Sequence, residues 1–306
     1  MGSQEYLFRQ CPICQKNAQH RIEVSSEKKA EEMGYEKLTP YWNGFFKDKI
    51  FFSYARCREC DLLFTPTFYR LDQLEALYAQ MPPNMDLVPM AALVRTQKGY
   101  FEVLKKSSTL KNGYIEIGPD IGIFTENCSR EGRFDSYWLC EPNTEVADAL
   151  AKSIGSRKFT IIEDMFGFTK IPVQSAGVAV MIQVLDHLLD PVATLTELKT
   201  KLLPNAKLLL VTHNERSILR RIIGWRWPAF CLQHPQIYNP ASIKKLLEKS
   251  GYRVESIRRS TNYFQFSFLL KHLLWAFGIK VKSVPSFFNF TIGLKLGNII
   301  TIATPN

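Results

Sequence analysis

The sequence lacks a long apolar run that is free of charge. Its most apolar stretch, residues 263–281, carries Lys271 and His272 at the centre, and a charge at that depth is costly in a bilayer. The first ten residues contain neither an extended apolar core nor a small-residue cleavage site, which argues against a secretory signal. We therefore expect a cytoplasmic protein without a membrane span, in which thiols stay reduced.

Acidic residues are fewer than basic ones. Asp and Glu number 29 against 39 Lys and Arg, so the formal net charge is +10. This balance favours acidic partners such as nucleic acid, phosphorylated small molecules or an anionic membrane surface, without choosing among them. Hydrophobic residues at 46% and charged residues at 22% exclude whole-chain disorder. A length of 306 residues predicts about two domains.

Cysteines are few, and four of the seven form two pairs with Cys-x-x-Cys spacing. The paired residues are Cys11 with Cys14 and Cys57 with Cys60. Two such knuckles place four thiolates around one tetrahedral Zn²⁺, whereas a redox role is disfavoured because neither pair opens a helix after a strand. We predict that residues 1–70 form a zinc-binding module whose site is structural. The isolated cysteines are predicted to be small buried residues: Cys128, Cys140 and Cys231.

The rest of the chain has the pattern of an α/β protein. Helical spacing over residues 71–110 predicts a helical connector. Beyond it, short apolar runs alternate with helical segments, which predicts a parallel sheet covered on both faces. The predicted strands are 114–117, 136–140, 159–162, 178–182, 207–212, 253–257 and 299–303. We therefore expect a second domain over 111–306, with an apolar insertion at about 262–297.

A glycine-containing loop follows the first predicted strand, in the run Glu116-Ile-Gly118-Pro-Asp120-Ile-Gly122. Glycines there allow a ligand to approach the backbone and a helix to start at once. The second strand ends in Glu141, where a carboxylate accepts both hydroxyls of a ribose. The alternative is a tight strand–helix turn with a solvated Glu141.

These motifs, with others in the same order, resemble the class I S-adenosylmethionine-dependent methyltransferases. Residues 163–165 (Glu-Asp-Met) resemble the pair that brackets the adenine, and residues 183–187 (Gln-Val-Leu-Asp-His) resemble the segment after strand four. Residues 202–207 and 234–252 resemble the family's turn before strand five and its following helix motif. The resemblance implies a Rossmann-like seven-stranded sheet. It also implies a cofactor site formed by Glu116, Gly118, Asp120, Gly122, Glu141, Asp164, Met165 and Gln183.

A four-cysteine module ahead of this fold resembles bacterial methyltransferases that act on sugars and polysaccharide intermediates, some of them at carbon. The resemblance implies a small polar acceptor such as a sugar or glycan, either nucleotide-linked or lipid-linked. Asp120 departs from the pattern because it stands where the family has its middle glycine. A carboxylate there repels the carboxylate of the cofactor but attracts its sulfonium and amino groups.

Two histidines are candidates for a catalytic base, since an imidazole titrates near neutral pH. His187 follows the fourth strand, and His234 lies after the fifth. The alternatives are that His187 caps the next helix and that His234 anchors a loop. His213 has no motif and is predicted to lie on the surface or in packing.

For two further features, an arginine cluster and an apolar stripe, the sequence allows more than one role. Arg216, Arg220, Arg221 and Arg226 lie among tryptophans and either bind a phosphate or form a solvated face. The apolar stripe at 264–275 is either core, a dimer contact or a helix at a membrane interface, so peripheral membrane association stays open. The function expected from the sequence is methyl transfer to a sugar or glycan intermediate. The alternatives are an RNA methyltransferase and a catalytically silent binding protein.

Overall fold

The computed structural model describes residues 5–15, 21–42, 49–79, 89–164, 167–276, 279, 281 and 285–306. Within these residues, no helix combines the length and the apolar character that a membrane span requires. The predicted fold class is confirmed, because a seven-stranded sheet with helices on both faces follows an N-terminal unit of short strands.

The N-terminal unit is built from strands of two to four residues. Its elements are β1 (Leu7–Phe8), β2 (Arg21–Val24), β3 (Lys28–Lys29), α1 (Tyr35–Leu38), β4 (Ile50–Phe51), β5 (Tyr54–Arg56), β6 (Leu63–Phe64) and β7 (Thr67–Phe68). β2, β5 and β6 form an antiparallel sheet. Strands this short bury little by themselves, so the unit depends on the cysteine cluster and on aromatic packing.

Two helices fill the predicted connector, α2 (Leu71–Ala79) and α3 (Met90–Ser107). Phe101 and Leu104 of α3 are fully buried in one core with residues of the large sheet. The connector is therefore a packed layer of the fold.

The remaining elements alternate along the chain as predicted. The strands are β8 (Lys111–Ile117), β9 (Arg133–Cys140), β10 (Phe159–Ile162), β11 (Ala176–Ile182), β12 (Leu202–His213), β13 (Gln236–Ile237), β14 (Tyr252–Arg259), β15 (Asn262–Gln265), β16 (Thr291–Leu294) and β17 (Asn298–Pro305). The helices are α4 (Ile123–Glu131), α5 (Ala147–Ile154), α6 (Pro191–Lys201), α7 (Ile218–Ile223), α8 (Pro240–Lys249) and α9 (Phe266–Ala276). All seven predicted strands are present.

The large sheet has the order β10-β9-β8-β11-β12-β17-β14. β8 to β12 are parallel, and β17 runs antiparallel to its two neighbours, β12 and β14. β14 is consequently parallel to the first five strands. Six strands therefore end at one edge of the sheet, which we call the carboxyl edge, and β17 begins there.

The two faces of the sheet have separate apolar cores, and the N-terminal unit is continuous with one of them. Cys57, Cys60 and Leu62 share that core with Ile243 and Leu246 of α8. β13, which lies between β12 and α8 in the chain, pairs with β6 and adds a fourth strand to the small sheet. The division of the chain at about residues 70 and 110 stays a prediction.

The apolar insertion leaves and re-enters the sheet at the carboxyl edge. β15 and β16 form an antiparallel pair, with α9 between them in the chain. The Thr96 hydroxyl of α3 accepts a bond from the Tyr263 backbone N–H at 2.7 Å, and the Tyr100 hydroxyl donates to Asn262 at 2.8 Å. The insertion is thus attached through β15, beside the strand ends.

Candidate functional site

The loops at the carboxyl edge form a crevice where the order of the strands reverses. From β8 the chain continues to β9 and β10 on one side, whereas β11 and β12 lie on the other. Ligands of open α/β sheets bind in the crevice at such a switch point. Gly118 after β8 and Gln183 after β11 flank it.

Gly118 and Gly122 both have left-handed backbone conformations, with φ of 66° and 78°. A Cβ at position 118 would lie 2.6 Å from Val184 Cγ2, and one at 122 would lie 2.5 Å from Ser153 Oγ. Gly118 therefore keeps the crevice floor close to the segment after β11, whereas Gly122 lets α4 start directly against α5. No side chain caps the start of α4, so its first N–H groups remain available to an anionic group.

Glu141 lies at the end of β9 and faces the glycine loop. Its Oε2 accepts a bond from the Asp120 backbone N–H and its Oε1 accepts one from Asn143, both at 3.0 Å. Burial raises its pKa, which those two bonds oppose. The carboxylate is thus held at the position where the sequence predicted a ribose contact, and it has further lone pairs for hydroxyl donors.

Glu116, another of the predicted cofactor residues, is buried, and its carboxylate accepts bonds from two side-chain hydroxyls of the fold. Its Oε2 accepts bonds at 2.5 Å from the Tyr114 hydroxyl and from Thr125 in α4. Burial raises its pKa to about 7. The contacts of Glu116 connect β8 to α4, and its part in holding the cofactor stays a prediction.

Asp120, the departure from the family pattern, has a left-handed backbone with φ of 52°. It thus keeps the conformation that the glycine loop needs, and asparagine and aspartate tolerate this region better than most residues. Burial raises the pKa of its carboxyl group.

The other predicted cofactor residues lie around the same crevice or outside the described residues. Asp164 is exposed at the end of β10, and Met165 lies outside the described residues. Gln183 has φ of 58°, and both polar atoms of its buried side-chain amide lack a partner in the described part of the chain. An unpaired buried amide is costly unless a ligand satisfies it. With the open α4 N-terminus and the Glu141 carboxylate, it fits an adenosyl and amino-acid cofactor.

Three histidines meet beside this crevice. The ring centroids of His187 and His234 are 4.6 Å apart, and those of His213 and His234 are 4.9 Å apart. His187 follows β11 and His213 ends β12, so neighbouring parallel strands deliver both to the carboxyl edge. The structure therefore brings together the two predicted histidines and adds His213.

His213 is oriented by a fully buried carboxylate. Asp186 Oδ2 accepts bonds at 3.0 Å from the backbone N–H and from the ring Nδ1 of His213. With its proton on Nδ1, the ring keeps a free lone pair on Nε2. Burial lowers the pKa of His213, and Asp186 opposes that effect.

His187 has a different partner and does not cap the next helix. Its Nδ1 lies 3.0 Å from the Tyr78 hydroxyl of α2, whereas Asp190 caps α6 by accepting from the Ala193 backbone N–H at 2.9 Å. The capping alternative for His187 is therefore wrong. Burial, followed by the two neighbouring imidazoles, holds the pKa of His187 well below its ordinary range.

His234 is buried and forms a close pair with Cys231. Its Nδ1 donates to the Ala229 carbonyl oxygen at 2.8 Å and lies 3.4 Å from Cys231 Sγ. Burial by itself lowers the pKa of His234, but Cys231, Asp186 and the Ala229 carbonyl together outweigh this effect and the pKa rises to about 9. Cys231 is buried as predicted, and its pKa is lowered because His234 outweighs the opposing effect of burial.

Aromatic residues of the N-terminal unit and of α2 pack together beside His187. Trp42 contacts Tyr69 and Tyr78 edge-on, with ring centroids 5.7 and 5.1 Å apart, and Tyr78 reaches His187. The indole N–H of Trp42 and the hydroxyl of Tyr69 are buried without a partner among the described residues. Asp186 Oδ1, in the carboxylate that orients His213, is likewise buried without a partner among the described residues.

The four predicted metal ligands form one cluster away from the crevice. Cys11, Cys14, Cys57 and Cys60 have sulfur atoms within 4.8 Å of one another. Cys11 Sγ lies 3.4 Å from Cys60 Sγ, and Cys57 Sγ lies 3.9 Å from Cys14 Sγ. Tetrahedral zinc with bonds of about 2.3 Å requires sulfur separations of about 3.8 Å. The cluster fits Zn²⁺, and four sulfur ligands would fill its tetrahedral coordination, so no coordination position is left for a substrate.

Sequence reasoning missed His213, Tyr78 and Trp42 as parts of the site. His213 carries a usable signal, because it ends an apolar strand and ligands bind at strand ends. The two aromatic residues carry none, because only the fold of the N-terminal unit brings them onto the carboxyl edge. His20 and the side chain of His272 lie outside the described residues.

The strand order and the crevice are those of the Rossmann-like methyltransferase fold. A family model described as a methyltransferase domain matches residues 95–257, more than half of the chain. The chain therefore belongs to the methyltransferase-domain family, whose methyl donor is S-adenosylmethionine. No curated protein sequence matches the chain significantly.

Solved structures similar to the chain are described as S-adenosylmethionine-dependent methyltransferases. One from Leishmania major has 12% identity and a TM-score of 0.49, with 89% of this chain and 84% of that chain covered. One from Aquifex aeolicus has 12% identity and a TM-score of 0.46, with coverage of 78% and 100%. One from Methanosarcina mazei has 12% identity and a TM-score of 0.45, with coverage of 66% and 96%. None of them provides an acceptor for this chain.

Proposed function

We propose that the chain transfers a methyl group from S-adenosylmethionine to a small polar acceptor, a hydroxyl-bearing sugar or glycan intermediate. The observation that carries this proposal is the group of three histidines, His187, His213 and His234, in which Tyr78 bonds to His187 and Trp42 packs on Tyr78. Aromatic faces, together with unpaired donors and acceptors, suit a polyhydroxylated ligand better than an apolar one.

The cofactor would lie in the crevice between Gly118 and Gln183. Glu141 would accept the ribose hydroxyls, and the open N-terminus of α4 would face the carboxylate of the methionine part. When bound, S-adenosylmethionine supplies the electrophilic methyl carbon, so the protein contributes position and proton transfer. The predicted contacts of Asp164 and Met165 with the adenine belong to this proposal.

His213 is the best placed of the three histidines to remove a proton from the acceptor. Its Nδ1 proton is held by Asp186, so Nε2 is free to accept a proton. In His187 the ring Nδ1 is occupied by the Tyr78 hydroxyl, and His234 is protonated at neutral pH because its pKa is about 9. His234 would then stabilise negative charge that develops on the acceptor, and His187 would orient Tyr78.

Replacing Glu141 by alanine is expected to weaken S-adenosylmethionine binding by about tenfold or more, because two charge-assisted bonds to the ribose are lost. Isothermal calorimetry with S-adenosylmethionine and S-adenosylhomocysteine measures the change. Glu145→Ala is the matched control, since Glu145 is an exposed glutamate four residues away. Equal affinities for Glu141→Ala and the parent chain would contradict the ribose contact. Failure of the parent chain to bind either compound would remove the enzymatic hypothesis.

The rate of methyl transfer is expected to have a bell-shaped pH dependence. A base works when deprotonated, so the rate rises as pH passes the pKa of His213, which lies below the ordinary value of 6.5. The rate falls again near pH 9 as His234 loses its proton. Single-turnover rates across pH check both limbs. A rate that keeps rising through pH 10 would contradict the role of His234.

The acceptor class is tested by transfer of a radiolabelled methyl group to separate pools of sugar nucleotides, lipid-linked glycans and RNA. We expect label in one of the two sugar pools. Label in RNA alone would favour the RNA methyltransferase alternative. Cofactor binding without transfer to any pool would leave the chain as a catalytically silent binding protein.

A further inference from the structure

Large apolar side chains are exposed at the carboxyl edge, outside the histidine site. On α7, Ile218 is 43% exposed and Ile222 is 65% exposed. On the insertion, Phe287 is 73% exposed and Phe290 is 49% exposed. Single exposed apolar residues are ordinary, but four such residues on two adjoining segments at one edge require an explanation.

The two segments are joined to each other. The Leu219 backbone N–H of α7 donates to the Leu296 carbonyl oxygen at 3.3 Å, and that of Asn214 donates to Gly297 at 2.8 Å. Phe290 stacks on Phe266, the first residue of α9, with ring centroids 5.0 Å apart. α7 and the insertion therefore leave the sheet as neighbours, on the side where the crevice opens.

Basic residues predominate on these segments, although Arg216 is paired with Asp61 and Glu215, and Arg220 with Glu23. Residues 216–247 contain six Lys or Arg and no Asp or Glu, and residues 256–306 again contain six and none. Arg221, Arg226 and Lys295 are exposed and form no ion pair among the described residues. Arg226 lies over the ring of the half-buried Trp225 at 4.5 Å. We call Ile218, Ile222, Phe287 and Phe290, with these three basic residues, the edge surface.

We propose that the edge surface docks on an anionic lipid bilayer. An anionic headgroup layer binds a surface that combines exposed apolar side chains with unpaired basic ones. The apolar side chains insert into the layer, and the basic side chains contact lipid phosphates. A second copy of the chain fits poorly, because a two-fold contact would place the arginines of one copy against the same arginines of the other. Nucleic acid would pair with the arginines but gives Ile222 and Phe287 nothing to bury against. This inference does not depend on the proposed methyl transfer.

The proposal is tested by sedimentation of the full chain with vesicles. One set contains phosphatidylcholine alone, and the other contains about one-third phosphatidylglycerol. We expect binding to the anionic vesicles only, weakened by salt. Ile222→Glu combined with Phe287→Glu should reduce binding by roughly tenfold or more, because two inserting side chains are lost. Arg221→Glu combined with Arg226→Glu should do the same by reversing charge.

Val173→Glu is the matched control, because Val173 is 66% exposed and precedes β11 at the opposite edge of the sheet. Thermal unfolding of each variant shows that it is folded. Equal sedimentation with both vesicle types, or an equal loss in Val173→Glu, would overturn the proposal. If the parent chain does not bind vesicles but forms a dimer that Ile222→Glu dissociates, the surface is a contact between two copies. If it does not bind vesicles but binds RNA, and Ile222→Glu leaves that binding intact, the surface belongs to nucleic acid.

Discussion

Replacing Cys57 by serine is expected to remove one bound zinc per chain and to lower the midpoint of thermal unfolding by roughly 10 °C or more. Structural zinc contributes its binding free energy to folding, and three thiolates hold it far less tightly than four. Among the free thiols, the hydrogen bond from Cys60 lowers the pKa of Cys11, whereas burial raises that of Cys14, so the four thiols do not all ionise without a bound cation.

The loss should extend beyond the N-terminal unit. Asp61, which follows the second knuckle, accepts bonds from Asn239, the residue that caps α8. The side chains of Lys245 and Lys249 in α8 donate to backbone carbonyl groups of Glu59 and Ile13 in the two knuckles. A cluster without metal would therefore loosen α8, which packs on the large sheet.

Metal analysis and calorimetric unfolding measure this effect, with Cys128→Ala as the control. Cys128 is a buried cysteine in the core on the other face of the sheet, so its replacement should cost about 1 kcal/mol and keep the zinc. A parent chain purified without metal, or a Cys57→Ser variant with an unchanged midpoint, would contradict a structural zinc site.

Replacing Asp186 by asparagine is expected to reduce the rate constant of methyl transfer by roughly 10²- to 10⁴-fold while cofactor affinity stays unchanged. The amide keeps the size of the carboxylate, so the fold is preserved. The neutral amide, however, no longer stabilises the imidazolium that forms when His213 accepts the proton of the acceptor.

Single-turnover rates and calorimetry separate this effect from a loss of binding. Asp190→Asn is the control, since Asp190 is exposed, caps α6 and has in asparagine an equally good cap. A rate for Asp186→Asn within about threefold of the parent chain would exclude the proposed dyad of Asp186 and His213.

The sheet was predictable because apolar strands and helical spacing are local patterns. All seven strands of the large sheet coincide with predicted apolar runs, and the four cysteines were predictable from spacing alone. His187 and His234 were predictable as residues of motifs. Their separate environments were not, because the pKa of each ring depends on partners that are far away in the chain, such as Tyr78 for His187.

By itself, the sequence determined the order of strands and helices, the two Cys-x-x-Cys pairs and the glycine loop with its acid, because each depends on residues close together in the chain. Only the tertiary structure decided that β13 completes the small sheet, that Asp186 orients His213 and that Tyr78 bonds to His187. These contacts join segments between about 30 and 170 residues apart, and such distances are closed by packing of two cores rather than by local preference.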